Sequence, residues 1–238
     1  DHSYNKGADV MHTLRSYMGD AQFFAALNSI QTNFGGQNIS SAQFMQHINS
    51  LGGVNVTDFF NAWIFQPGFA HFGITNLQVT PVGSNYEVKV LVVQKLKGGA
   101  AYHENVPLQL TFMDAQWNAH TENIVLPGHF TEFTFTLPIN PVFAGVNLNE
   151  RINDATTAET LTVTDDGVVQ LNYANVRLDV DVITDSAFVR IEHNWVYPDV
   201  MGVPADIQIS MQRYWNVHGV DLENITGSLR FDFNGKTV

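Results

Sequence analysis

The feature that most constrains this chain is a change in the spacing of its apolar residues near Gly73. Before that point they recur every three to four positions, as one face of an α-helix requires; after it they alternate, as a half-buried strand requires. A chain with helices gathered at one end and strands at the other cannot build the alternating βαβ units of a parallel sheet. It points to an α+β organisation with antiparallel pairing.

Four helices are predicted before the change. Val10, Leu14 and Tyr17 share a face of the first, which Gly19 ends. Asp20 opens the second, with Phe23, Leu27, Ile30 and Phe34 inward, and Gly35-Gly36 stops it. Ser40 and Gln43 have the spacing of a capping box and open a third helix with Phe44, Ile48 and Leu51 inward. Thr57 is expected to cap a fourth, whose apolar side is Phe60, Trp63 and Ile64 and which ends at Pro67-Gly68.

Strands follow. Val88, Val90 and Val92 share a face of a strand over 86–96, Gly98-Gly99 marks a turn, and Val106, Leu108, Leu110 and Phe112 alternate in the return. Phe133, Phe135 and Leu137 alternate with threonines. The polar stretch from Asn147 to Glu159 places a second boundary. Beyond it, Asp165-Asp166-Gly167 reads as a hairpin between Leu161-x-Val163 and the run Val169, Leu171, Tyr173. Further strands are expected over 176–182, 188–196, 207–211 and 229–233. The fold class is therefore multidomain α+β: a helical segment over 1–72, then two antiparallel β-sandwich domains over 73–160 and 161–238.

Composition narrows the function. The 238 residues carry 11 Lys+Arg against 23 Asp+Glu, a formal charge of -12, which repels phosphate backbones and anionic lipid heads. Nucleic acid and membrane are excluded as expected partners, and no apolar run approaches the ~20 residues of a membrane-spanning helix. With no cysteine there is neither a disulfide nor a thiolate metal site. Few charges and many Asn and Thr suit an exported bacterial protein, periplasmic or extracellular.

A helical zinc site needs two histidines four residues apart with a glutamate beside the first. None of the nine histidines has another at that distance, and His103-Glu104 runs into strand-like sequence. Nucleophile elbows, glycine-rich phosphate loops and cysteine nucleophiles are likewise missing. Other motifs stand out instead: Tyr4-Asn5-Lys6-Gly7, then Leu14-Arg15, Met18-Gly19-Asp20 with Phe23, then Asp58-Phe59-Phe60, and Trp63 before Gln66-Pro67-Gly68. In this order they resemble the closing part of the catalytic domain of M1-family zinc aminopeptidases, over residues 1 to about 70. Asn5 replaces the glutamate common before the lysine, and Ala70 stands where a proline often follows.

The resemblance implies that Tyr4 is catalytic, its neutral phenol donating a hydrogen bond to the tetrahedral oxyanion, while Lys6 and Gly7 shape the helix start. It also implies that the zinc ligands and the general base lie upstream of Asp1. The chain is then the C-terminal portion of a longer aminopeptidase, with the upstream part of the same polypeptide as its partner and peptides as substrate. Zinc is expected in the intact enzyme and none in this chain, which alone should be inactive. A non-catalytic binding or structural β-sandwich module is the alternative.

Two other groupings were weighed. Asp179, Asp181 and Asp185 could suggest calcium, but Arg177, Asp179 and Asp181 alternate with Leu178, Val180 and Val182, which reads as the solvated face of a strand. The stretch from Ile191 to Pro198, with Arg213-Tyr214-Trp215, is rich in aromatics and could form a ligand platform. Filling a small β core is favoured for Trp195 and Trp215, as is a buried place for His193 between Ile191 and Trp195.

Overall fold

The computed structural model describes residues 2–199 and 209–232. Helices α1 (His2–Met18), α2 (Asp20–Phe34), α3 (Ser41–Ser50) and α4 (Thr57–Trp63) come first. Gly19, at φ 73°, makes the sharp joint between α1 and α2, across which Arg15 grips Asp20 with two bonds of 2.8 and 2.7 Å. Both bonds of the Ser40–Gln43 capping box are present.

Three helical expectations need correction, the first being the end of the fourth helix, which stops at Trp63, four residues before Pro67. Leu51 is 46% exposed because α3 stops at Ser50: its final turn tightens, the Leu51 amide bonding to the Ile48 carbonyl, and Leu51 falls out of phase. Thr57 is the first residue of α4 and does not cap it. Asn55 Oδ1 accepts the Thr57 amide, Asn49 Oδ1 accepts the Val56 amide, and the Thr57 hydroxyl accepts from Asn49 Nδ2.

Among the described residues twelve strands follow, every described pairing antiparallel. The first six are β1 (Phe69–Val82), β2 (Asn85–Lys97), β3 (Val106–Asp114), β4 (Ala119–Leu126), β5 (Phe130–Leu137) and β6 (Pro141–Val146). They form two sheets in the orders β1-β2-β5 and β4-β3-β6. The others are β7 (Thr156–Val163), β8 (Gly167–Leu171), β9 (Val176–Ile183), β10 (Ala187–Asn194), β11 (Tyr214–Val220) and β12 (Ile225–Phe231), in the orders β11-β10-β7 and β12-β9-β8. The architecture is thus mostly antiparallel sheet with four short helices.

Local turns did not dictate sheet partners. After Gly98-Gly99 the chain crosses to the other sheet and does not return beside β2, so Val106 to Phe112 face the valines of β2 through the core. Asp165-Asp166-Gly167 is likewise a corner between sheets. Leu161 and Val163 on β7 meet Val169 and Leu171 on β8 in one apolar cluster, and the hairpin partner of β8 is β9. Tyr173 sits in the β8–β9 turn, 72% exposed. Of the strand expected over 207–211, residues 207 and 208 lie outside the described residues, Ile209 to Met211 form no strand, and β11 begins at Tyr214. β12 begins at Ile225, and Phe233 lies outside the described residues.

The largest apolar cluster joins all four helices to the first two sheets, with Leu14, Ile48, Phe59 and Phe60 beside Val88, Val90, Leu110 and Phe112. A second cluster fills the space between the last two sheets. A small third, Met113, Phe143 and Val220 with Trp117 and Phe188, bridges the earlier strands to the later ones. Polar side chains, among them Asp154, Arg190 and Glu192, also line that junction.

Candidate functional site

Helix α1 carries the residues on which the sequence reading turns. Tyr4 belongs to its N-terminal part, and the Tyr4 side chain lies outside the described residues. Lys6 places its ammonium over the Phe69 ring, 5.3 Å from the centroid. The beginning of α1 therefore meets the beginning of β1, two places far apart in sequence.

One turn further on, Asp9 and His12 line a crevice of about 430 Å³ whose other walls include Asn147, Asp154, Arg190 and Glu192. Its floor is the segment joining the earlier strands to β7. Asn147, at φ 56°, folds back so that its amide donates to the Ile152 carbonyl at 2.7 Å and to Asp154 Oδ2 at 3.2 Å. The helices clasp the same segment: Ser16 Oγ donates to the Arg151 carbonyl, Thr13 Oγ1 accepts the Asn153 amide, and the Trp63 indole donates to the Asn153 carbonyl.

The electrostatics follow from crowding. Loss of water around Asp154 pushes its carboxyl up to about 7, aided by the negative Glu192 and opposed by the bonds from Asn147 and Thr156. Burial would also raise Glu192, but His218 and Arg190 overcome it and hold the carboxyl near 2. The Arg190 guanidinium is 2.7 Å from Glu192, whereas His218 stands at 3.4 Å without hydrogen-bond alignment.

A second crevice, about 390 Å³, opens on the other side of Glu192 and includes His71, Lys95, Tyr214 and His218. Lys95, its side chain only 5% exposed, reaches the Tyr197 carbonyl at 3.1 Å and Asp199 at 3.0 Å. His71 bonds through Nδ1 to Thr156 Oγ1 at 2.9 Å, and burial, with Lys95 adding to it against the acids Glu192 and Asp199, lowers its pKa to about 4.

His71 gives a pH prediction. Its folded pKa lies below the ordinary 6.5, so between these values the unfolded chain binds more protons and stability falls as pH drops from 6.5 to 4. Asp154 acts oppositely, losing stability as pH rises from 3.8 to about 7. Denaturant midpoints across the acid window should fall less steeply in His71→Gln than in the parent. An unchanged slope would remove His71 from the acid response.

The remaining sequence candidates do not assemble. Asp179 is taken by Arg177 at 2.7 Å and Arg230 at 3.4 Å, and the Asp185 carboxylate accepts the Ser186 amide. The expected alternation breaks at a register shift, where Thr226 faces Val182 and Gly227 faces Val180; Asp181 is the extra residue, and Val182 turns outward, 53% exposed. His193 is fully buried between Trp195 and Trp215, at 4.0 and 4.1 Å, accepting from Asn175 through Nδ1. The two indoles donate to Thr157 Oγ1 and the Ala174 carbonyl.

Sequence reading missed the polar junction. Its signal was present in the Arg190-x-Glu192 pair, two charges on one strand face amid buried positions, and in the polar run that marked the boundary. Among the described residues, no three His, Cys, Asp or Glu side chains converge to hold a metal ion.

Compared with known protein families, residues 1–63 match the model of the peptidase family M1 domain. The match covers the four helices and ends at Trp63, the last residue of α4. The similarity lies in the helical part of the chain, 63 of 238 residues.

Proposed function

We propose that the chain is the C-terminal portion of an exported M1-type zinc aminopeptidase that removes N-terminal residues from peptides. The observation that carries this is the family match over α1 to α4, which includes the motif holding Tyr4 and Lys6. In this reading residues 1–72 close the catalytic lobe, 73–160 form a β-sandwich and 161–238 an accessory β-sandwich. The segment preceding Asp1 supplies the His-Glu-x-x-His helix, the general base and the groups that bind the substrate amine. Tyr4 donates its hydrogen bond to the oxyanion as the scissile carbonyl becomes tetrahedral. The enzyme works in the periplasm or outside the cell.

The test compares the 238-residue chain with the longer polypeptide. After dialysis the longer form should hold one zinc per chain and release amino acids from aminoacyl substrates, and the shorter form should do neither. Stoichiometric zinc and turnover in the 238-residue chain, or no zinc-binding helix upstream of Asp1, would overturn the proposal.

A further inference from the structure

The contact between Lys6 and Phe69 is the one described side-chain interaction of the motif at the start of α1. Phe69 is a fixed platform. It pairs with Lys97 as the first rung of the β1–β2 ladder. Gly68 before it, at φ 90°, lies so close to the 97–99 backbone that an added Cβ would stand 2.4 Å from the Gly99 nitrogen. The Gln66 side chain seals the same turn with two bonds to the Ala101 backbone, of 3.3 and 3.1 Å. Gln66, Gly68 and Phe69 thus brace one turn against the β2–β3 loop, and the ring so placed receives the Lys6 ammonium.

The rest of α1 is held from its C-terminal half, where Leu14 is buried and Thr13 and Ser16 bond to the junction segment. Its first turn has no acidic residue to offset the helix dipole. We propose that Lys6 is a positioning residue: seated on Phe69, it fixes the first turns of α1 and with them Tyr4, two residues earlier. The proposal rests on the aminopeptidase reading for its catalytic consequence, while the contact itself is independent of that reading. A cation held over an aromatic face contributes enough to matter at the end of a helix, and small displacements of a catalytic group lower rate more than affinity.

The experiment uses the longer polypeptide with Lys6→Gln, Phe69→Leu, the double variant and Lys6→Arg. Both single variants should lower kcat about three- to tenfold at similar KM and speed amide exchange in the peptide covering the first turns of α1. The double variant should be no worse than either single one, since both remove the same contact. Lys6→Arg, which keeps a cation over the ring, should restore both readouts. Additive losses, or exchange unchanged in Lys6→Gln, would overturn the inference. If exchange responds as expected but kcat does not, the contact stands and the role of Tyr4 falls.

Discussion

Replacing Tyr4 by phenylalanine in the longer polypeptide is expected to lower kcat by about 10²–10³ with KM little changed, the signature of losing one hydrogen bond made in the transition state. A phenol suits this task because it can donate a hydrogen bond without first giving up its proton. The substitution keeps the aromatic ring and the helix-forming backbone, so a folding defect is not the expected outcome. Thermal unfolding of the variant should therefore match the parent. Steady-state kinetics on an aminoacyl substrate decide the matter: unchanged turnover would remove Tyr4 from the chemistry and leave the family match as a relationship of scaffold alone.

What could be read from the sequence was local. The four helices were legible because each carries an apolar stripe at helical spacing, and the Ser40–Gln43 box specifies a helix start from residues three apart. Val88, Val90 and Val92, all fully buried, were legible for the same reason. Some strands with few buried positions were missed. β4 buries only Ile124 and Leu126, and β11 buries only Val220. Which strands pair was hidden too, because a turn such as Asp165-Asp166-Gly167 fixes a change of direction but not the sheet that receives the chain. The polar junction depends on contacts such as Thr13 to Asn153 and Ala70 to Ala155, 140 and 85 positions apart, and no short-range pattern encodes those.

The second large effect concerns the core that ties the helices to the strands. Phe59→Ala should destabilise the protein by ~3–5 kcal/mol, the cost of removing a buried aromatic and leaving a cavity. Phe59 is fully buried, stacks on Trp63 at 5.6 Å and 14°, and meets the edge of Tyr17 at 5.2 Å. Tyr17 cannot fill the space without moving α1, and its hydroxyl is already buried with no hydrogen-bond partner. Burial also holds that phenol well above its ordinary pKa, with Asp58 adding to the effect, so it stays neutral and takes no charge into the core. Because Trp63 also donates to the Asn153 carbonyl, collapse around residue 59 should loosen the junction segment together with α4. Denaturant unfolding gives the size of the loss, and amide exchange shows where it falls. A loss below ~1 kcal/mol, or faster exchange confined to α4, would mean that the helices and the sheets do not share one cooperative core.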